Sequence, residues 1–328
     1  MINKKIFFIL ILTATIFSSG KVGTAIYRWA EIETGARAIA MAGSQVASGN
    51  GVYAVPYNPA NLGFIDGSEI YVSKAGYLAG TSHNTIAYGQ QVTPSDYVGV
   101  HLYYFDSGEM QETTEIDGGA TGQGFKFKGF VTRLTYTKQL TDRLKLGGNF
   151  KYIYEETTSA DLSMSSVAFD IGSNFDTGIF GMVLGMCISN LGPDARYMGV
   201  GLDVQEGEGH EDEQHKTEYF PIPLTFRVGL MNNVVGYDKN SAIVIPGHRF
   251  TVSMDAINPL DYQLGGSLGM EYSWNELFFV RGGYHLNHDT AGLAAGFGVL
   301  YNGIALDFGW ADYAILENTW QLGLSFNY

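Results

Sequence analysis

The chain has 328 residues, of which 45% are apolar, 14% aromatic and only 16% charged, and 43 are glycine. That apolar content excludes a disordered chain, the wealth of glycine and aromatics argues against a helical bundle, and a net charge of −14 excludes an electrostatic nucleic-acid binder. A single cysteine, Cys187, excludes an intrachain disulfide and any cysteine-cluster metal site.

The amino terminus reads as an export signal. Lys4 and Lys5 precede an apolar run from Ile6 to Phe17, and small residues follow at Ser18-Ser19-Gly20 and Gly23-Thr24-Ala25. The run is too short for a membrane-spanning helix, which needs roughly 17–25 apolar residues. Residues 1–25 are therefore assigned to a signal peptide, with the mature protein working outside the cytoplasm.

Residues 26–66 do not alternate. Glu33 to Gly43 is small and helix-compatible, and Val55-Pro56-Tyr57-Asn58-Pro59-Ala60-Asn61-Leu62-Gly63 carries a turn signal, because proline fixes φ and restricts the residue before it. This part reads as a compact element, a plug or lid.

From residue 67 onward, apolar residues recur at every second position. Trp320, Leu322, Leu324, Phe326 and Tyr328 share one face of a strand, and Gln321, Gly323, Ser325 and Asn327 the other. Phe220 to Leu230 and Phe180 to Ile188 behave alike. Such segments lie near 68–75, 84–92, 96–104, 126–139, 143–155, 164–175, 179–189, 220–232, 248–256, 263–274, 277–286, 291–301, 303–312 and 318–328. They number fourteen, an even count, and most have the length of a tilted membrane-spanning strand. Their connections alternate between short turns, such as Asn302-Gly303, and longer polar loops, including 105–125 and 190–219. That alternation puts the short turns and both termini in the periplasm; the connection 233–247 is long where a short turn is expected.

A secreted β-sandwich also alternates. It would stock its second face with Lys, Glu and Arg, whereas here that face is mostly Gly, Ser, Ala, Thr and Asn. The apolar faces carry no charge, as a lipid-facing stripe requires, since Lys or Arg at mid-bilayer costs roughly 2–4 kcal/mol. Tyr103, Tyr154, Tyr272, Trp274, Tyr301, Trp310 and Trp320 sit near strand ends, where an interfacial girdle would lie. The expected fold is an all-β transmembrane antiparallel barrel of about fourteen strands over 67–328, in the outer membrane. A closed barrel leaves no backbone group orphaned in lipid.

Polar residues on the inward register include His101, Arg133, Asp170, Arg227, Asp255, Glu271, Arg281, His285 and Asp307. Both signs occur on neighbouring strands, which reads as an ion-pair network filling the lumen or, functionally, as a lining that guides a ligand or gates the plug. The stretch Glu206–Glu218 is acidic and holds His210 and His215, but without ordered ligand spacing it reads as a solvated loop rather than a metal site. Cys187, on a small inward register, reads as inert. No G-x-S-x-G elbow, HExxH, P-loop or dinucleotide fingerprint occurs, so neither an enzyme nor a cofactor is expected.

Gly35-Ala36-Arg37-Ala38 with Ala40-Met41, followed by Asn58-Pro59-Ala60 with Leu62, resembles the opening of PorV/PorQ proteins of the FadL-like outer-membrane family. Ala42 stands where that family usually has a second glycine. The resemblance implies a fourteen-stranded barrel with an N-terminal hatch over 26–66. It also implies one of two activities: passage of a hydrophobic small molecule through a hatch-gated lumen or, alternatively, docking of secreted proteins as a subunit of a type IX-like secretion machine. Beyond cargo, the only expected partner is outer-membrane lipid.

Overall fold

A computed structural model describes residues 23–113, 120–158, 162–199, 217–237 and 241–328. The expected signal-peptide core, the acidic stretch 201–216 with His210 and His215, and the tip of the 105–125 loop lie outside the described residues. No helix among the described residues is long and apolar enough to cross a membrane, which says nothing of a barrel.

Fourteen strands form the wall: β1 (Ser68–Gly76), β2 (Ser82–Thr93), β3 (Asp96–Asp106), β4 (Phe127–Thr141), β5 (Leu144–Thr157), β6 (Leu162–Asp176), β7 (Met182–Leu191), β8 (Thr225–Gly236), β9 (His248–Pro259), β10 (Gly265–Trp274), β11 (Phe278–Leu286), β12 (Leu293–Tyr301), β13 (Ile304–Asp312) and β14 (Asn318–Asn327). Each pairs antiparallel with its sequence neighbours. The sheet closes between β14 and β1, with Val72 opposite Leu324 and Ser73 opposite Gly323. Closure removes both sheet edges, the condition for burying strands in lipid.

The period-two pattern decides which way each strand faces. Leu134, Phe169, Ile171, Val280 and Phe297 are all more than half exposed on the outside, while Arg133, Ala168, Asp170, Arg281 and their inward neighbours are buried. An outer surface this apolar suits a hydrocarbon solvent and not water.

Two details differ from the expected pattern. The strand expected from residue 220 begins at Thr225, because Pro221 and Pro223 each lack the N–H that a ladder needs; Phe220 instead bridges to Ala195. The long connection at 233–247 contains Ile243–Val244, which adds a short parallel pairing to Val235–Gly236 of β8. On the opposite end of the barrel, Met110–Thr113 pairs with Ala120–Phe125 as a hairpin beyond the wall.

Candidate functional site

Residues 23–67 run inside the lumen from one end to the other. Ile26 donates its backbone N–H to the Pro221 carbonyl in the long loop between β7 and β8, so this end of the segment lies at the long-loop rim. The expectation that both termini lie at the short-turn end holds for Tyr328, which pairs with Ser68 beside the Gly67 junction to β1, and not for the segment's first described residues. Between these ends lie α1 (Ala36–Ala40) and a 3-10 turn over Pro59–Phe64.

Local sequence sets both elements. Gly35, at φ 104°, takes a backbone conformation that disfavours side chains, and it launches α1. Asn58 caps the 3-10 turn by accepting from the Ala60 N–H at 3.0 Å, with Pro59 next in line. The small residues of α1 let it lie flat against the wall. Ala36 and Ala40 press on Gly309 and Gly296, and the Met41–Ala42 backbone on Gly283; a Cβ on any of these glycines would overlap the segment. The same holds around the barrel. A Cβ on Gly147 would stand 2.5 Å from the Ala60 nitrogen, and one on Gly89 2.7 Å from a Leu62 methyl. The inward glycines thus form a belt where backbone meets backbone, which accounts for much of the unusual glycine content.

Arg37 fixes α1 to the wall. Its Nε donates to Glu271 of β10 at 2.8 Å, and Nη1 donates to Gln45 Oε1, the Ser48 carbonyl and Tyr53 Oη at 2.7–3.0 Å. Glu271 also accepts from Arg281 at 2.7 Å and from Arg249 at 3.1 Å, and Arg281 reaches Asp307 at 2.5 Å. Burial opposes the charge of Arg37, but Glu271 and Tyr53 hold its pKa above the ordinary value. Ala38 and Met41 are fully buried beside it.

The remaining wall carboxylates and amides serve the segment's backbone. Asp255 accepts from the Val46 N–H at 2.9 Å, and Glu69 from the Val52 N–H at 2.8 Å. Asn174 of the wall donates to the Ala47 carbonyl and, at 3.2 Å, to Asn61 Oδ1, and from within the segment Asn58 donates to the Val46 and Ser173 carbonyls. An irregular backbone sealed in a lumen needs such partners in place of a ladder.

Of the nine inward polar candidates, the structure unites Glu271, Arg281 and Asp307 in one cluster around Arg37. Asp170 pairs with Lys151 at 2.7 Å. His101 meets Arg133 at 3.3 Å, and Asp255 stands apart on the segment backbone. His285 reaches Glu33 of the segment at 3.0 Å. Arg227 makes no hydrogen bond or ion pair among the described residues. Cys187 is buried, its Sγ 3.4 Å from Ser189 Oγ.

The long-loop end of the lumen has two unlike halves. Beside β3–β6, Trp29 stacks on Tyr103 and Phe105 with ring centroids 6.0 and 5.8 Å apart. Its indole N–H donates to Glu155 at 2.6 Å, and Tyr27, Val131, Ile153 and Met164 complete a filled core. Beside β8–β11 lies a cavity of about 450 Å³. Its lining is mainly apolar (Ile32, Ile257, Pro259 and Leu286, with the rings of Tyr77, Tyr262 and Tyr313), and Arg28, Glu31, Glu33, Arg227, His285 and His288 supply its polar points. Such a volume and lining fall in the range of small-molecule sites. Below it, the segment packs against the glycine belt of the wall.

Trp29, Glu31 and Glu33 shape this site and were not singled out by sequence reasoning. The available signal was Tyr27-Arg28-Trp29 and two glutamates in a segment otherwise made of small residues. Among the described residues, no group of three His, Cys, Asp or Glu side chains is placed to hold a metal ion.

No protein-family model and no curated protein sequence matches the chain. Its fold is shared by several solved barrels. The Pseudomonas putida toluene transporter TodX superposes with a TM-score of 0.58 at 13% identity, covering 89% of this chain and 96% of TodX. CymD, a monoaromatic hydrocarbon channel, gives 0.59 at 10% identity over 90% of this chain and 98% of its own. A Pseudomonas aeruginosa FadL homologue gives 0.55 at 11% identity over the same shares.

Proposed function

We propose that this protein is an outer-membrane barrel that takes up a hydrophobic small molecule at its long-loop end and passes it through a lumen gated by residues 26–66. The observation that carries this reading is the mainly apolar 450 Å³ cavity at the long-loop end, bordered by the luminal segment. The shared fold with TodX and CymD supports it, since both are described as hydrocarbon transporters or channels. In this reading the segment is a hatch. Gly35, Ala36, Arg37, Ala38 and Met41 form its wall-facing latch, while Asn58, Pro59, Ala60 and Leu62 form its floor. Burial of an apolar cargo against Ile32, Ile257 and the tyrosine rings supplies affinity, at about 25 cal/mol per Å² removed from water.

The test is to tie the floor to the wall. Asn61 and Asn174 face each other with their amides 3.2 Å apart, so an Asn61→Cys/Asn174→Cys pair joined by a short thiol cross-linker immobilises the hatch. Uptake of an apolar aromatic into cells or vesicles should stop when the link is formed and return on reduction. Unchanged uptake in the linked protein rejects hatch gating.

The second reading, a PorV/PorQ-type component that docks exported proteins, draws on the hairpin at Met110–Thr113 and Ala120–Phe125, which projects beyond the wall. Deleting that hairpin and the 190–219 loop should abolish recovery of a protein partner if that reading holds.

A further inference from the structure

Below the cavity, where the luminal segment meets β4, β5, β7 and β8, a second void of about 30 Å³ lies against the wall. Three cationic side chains border it, namely Arg133, Lys151 and Arg227. Lys151 has a carboxylate partner, Asp170, at 2.7 Å, and it also donates to Asn190. The two guanidinium groups have none. Arg133 is 4% exposed; among the described residues its one hydrogen bond is Nη1 to His101 at 3.3 Å, its Nε has no hydrogen-bond partner, and Asp170 acts on it only electrostatically. Arg227 makes no hydrogen bond or ion pair among the described residues, and its Nε is likewise buried and unpartnered. Two acids also border the void: Glu31 bonds Arg28 at 2.6 Å and Thr225 at 2.7 Å, and Glu33 bonds His285 at 3.0 Å through one carboxylate oxygen, its other oxygen being buried without a hydrogen-bond partner among the described residues.

Arg133 and Lys151, each 4% exposed, stand opposite one another on β4 and β5 with Asp170 paired to Lys151, and Arg227 adds a third, part-buried cation; such a surplus of buried positive charge is unfavourable. A water in the void would satisfy donor geometry, but it would leave the charge uncompensated. The void exceeds the roughly 10–15 Å³ that one water requires and so has room for a small ion. We propose that this void is a binding site for a small monovalent anion of halide size, held by Arg133, Arg227 and Lys151. The site shares Arg227, Glu31, Ile32 and Glu33 with the border of the larger cavity. Its occupant would knit the luminal segment to four wall strands, because Tyr57 and Thr34 of the segment close the void from the other side.

The direct test is crystallographic: the full chain in detergent, crystallised from bromide, should give an anomalous peak between the three cationic groups. In parallel, thermal unfolding in sodium chloride should show a saturable rise in Tm over sodium gluconate at equal ionic strength, about 2 °C at ten times Kd. Matching ionic strength removes general screening as a cause. Arg227→Gln should lose the chloride-specific rise and Arg227→Lys should keep it. Should Arg227→Gln fail to fold, the bromide peak in the unaltered protein still decides. Absence of bromide from this void, with identical unfolding in chloride and gluconate, overturns the assignment.

Discussion

The two halves of the long-loop end lie in one barrel and share one luminal segment, yet one is solid and the other hollow. On the β3–β6 side the wall sends in Tyr103, Phe105, Val131, Ile153 and Met164, and Trp29 fills what remains. On the β8–β11 side the wall sends in Arg227, Ile257, Gly265 and His285, and no ring from the segment replaces the missing volume. The hollow is therefore set by what four strands omit. A packed interior costs little to leave filled, whereas an apolar void forfeits dispersion contacts unless something occupies it. The solid half anchors the segment; the hollow half has the room that the proposed cargo would need.

Changes at named residues break or sharpen that contrast. The largest effect is expected beneath both halves. Arg37→Ala strips Glu271 of its segment partner and should cost about 3–5 kcal/mol, read by urea unfolding in detergent, with leakage of small solutes through the loosened lumen. Trp29→Ala hollows the solid half. It should cost about 3–5 kcal/mol and create a second ligand-sized void, visible as binding of an added apolar molecule beside Tyr103. Gly309→Ala places a Cβ against the Ala36 carbonyl and should cost about 1–3 kcal/mol without altering the outer surface. The smallest change in stability carries the sharpest functional contrast. Gly265 lines the cavity, and a Cβ there meets only the Leu286 and Asn287 carbonyl oxygens at 3.8 and 3.9 Å. Gly265→Phe should change stability by less than about 0.5 kcal/mol, yet fill the hollow half and remove ligand binding.

The wall was legible because period-two alternation is a local signal that survives without tertiary context. All fourteen segments contain a strand, and the sharpest misjudged start, at 220, is explained by Pro221 and Pro223, which the alternation of Phe220, Ile222 and Leu224 concealed. The luminal segment was legible only as something compact. Its backbone is satisfied in part by Asp255 and Asn174, partners 209 and 127 residues away that no window of residues reveals. The inward polar residues were identifiable by register, but their pairings were not. Glu271 and Arg281 meet directly, whereas Arg227 makes no hydrogen bond among the described residues and Asp255, which it faces electrostatically, serves a backbone N–H. The cavity was invisible in the sequence because its boundary joins the segment's first described residues to loops and strand ends from five places in the chain.

The central claim is that the hollow half of the lumen holds an apolar small molecule. Native mass spectrometry of the unaltered barrel and of Gly265→Phe, each extracted in mild detergent from its own membrane, tests it most directly. The unaltered barrel should carry the added mass of a small apolar compound that Gly265→Phe lacks. The same adduct on both proteins, or on neither, would contradict the claim.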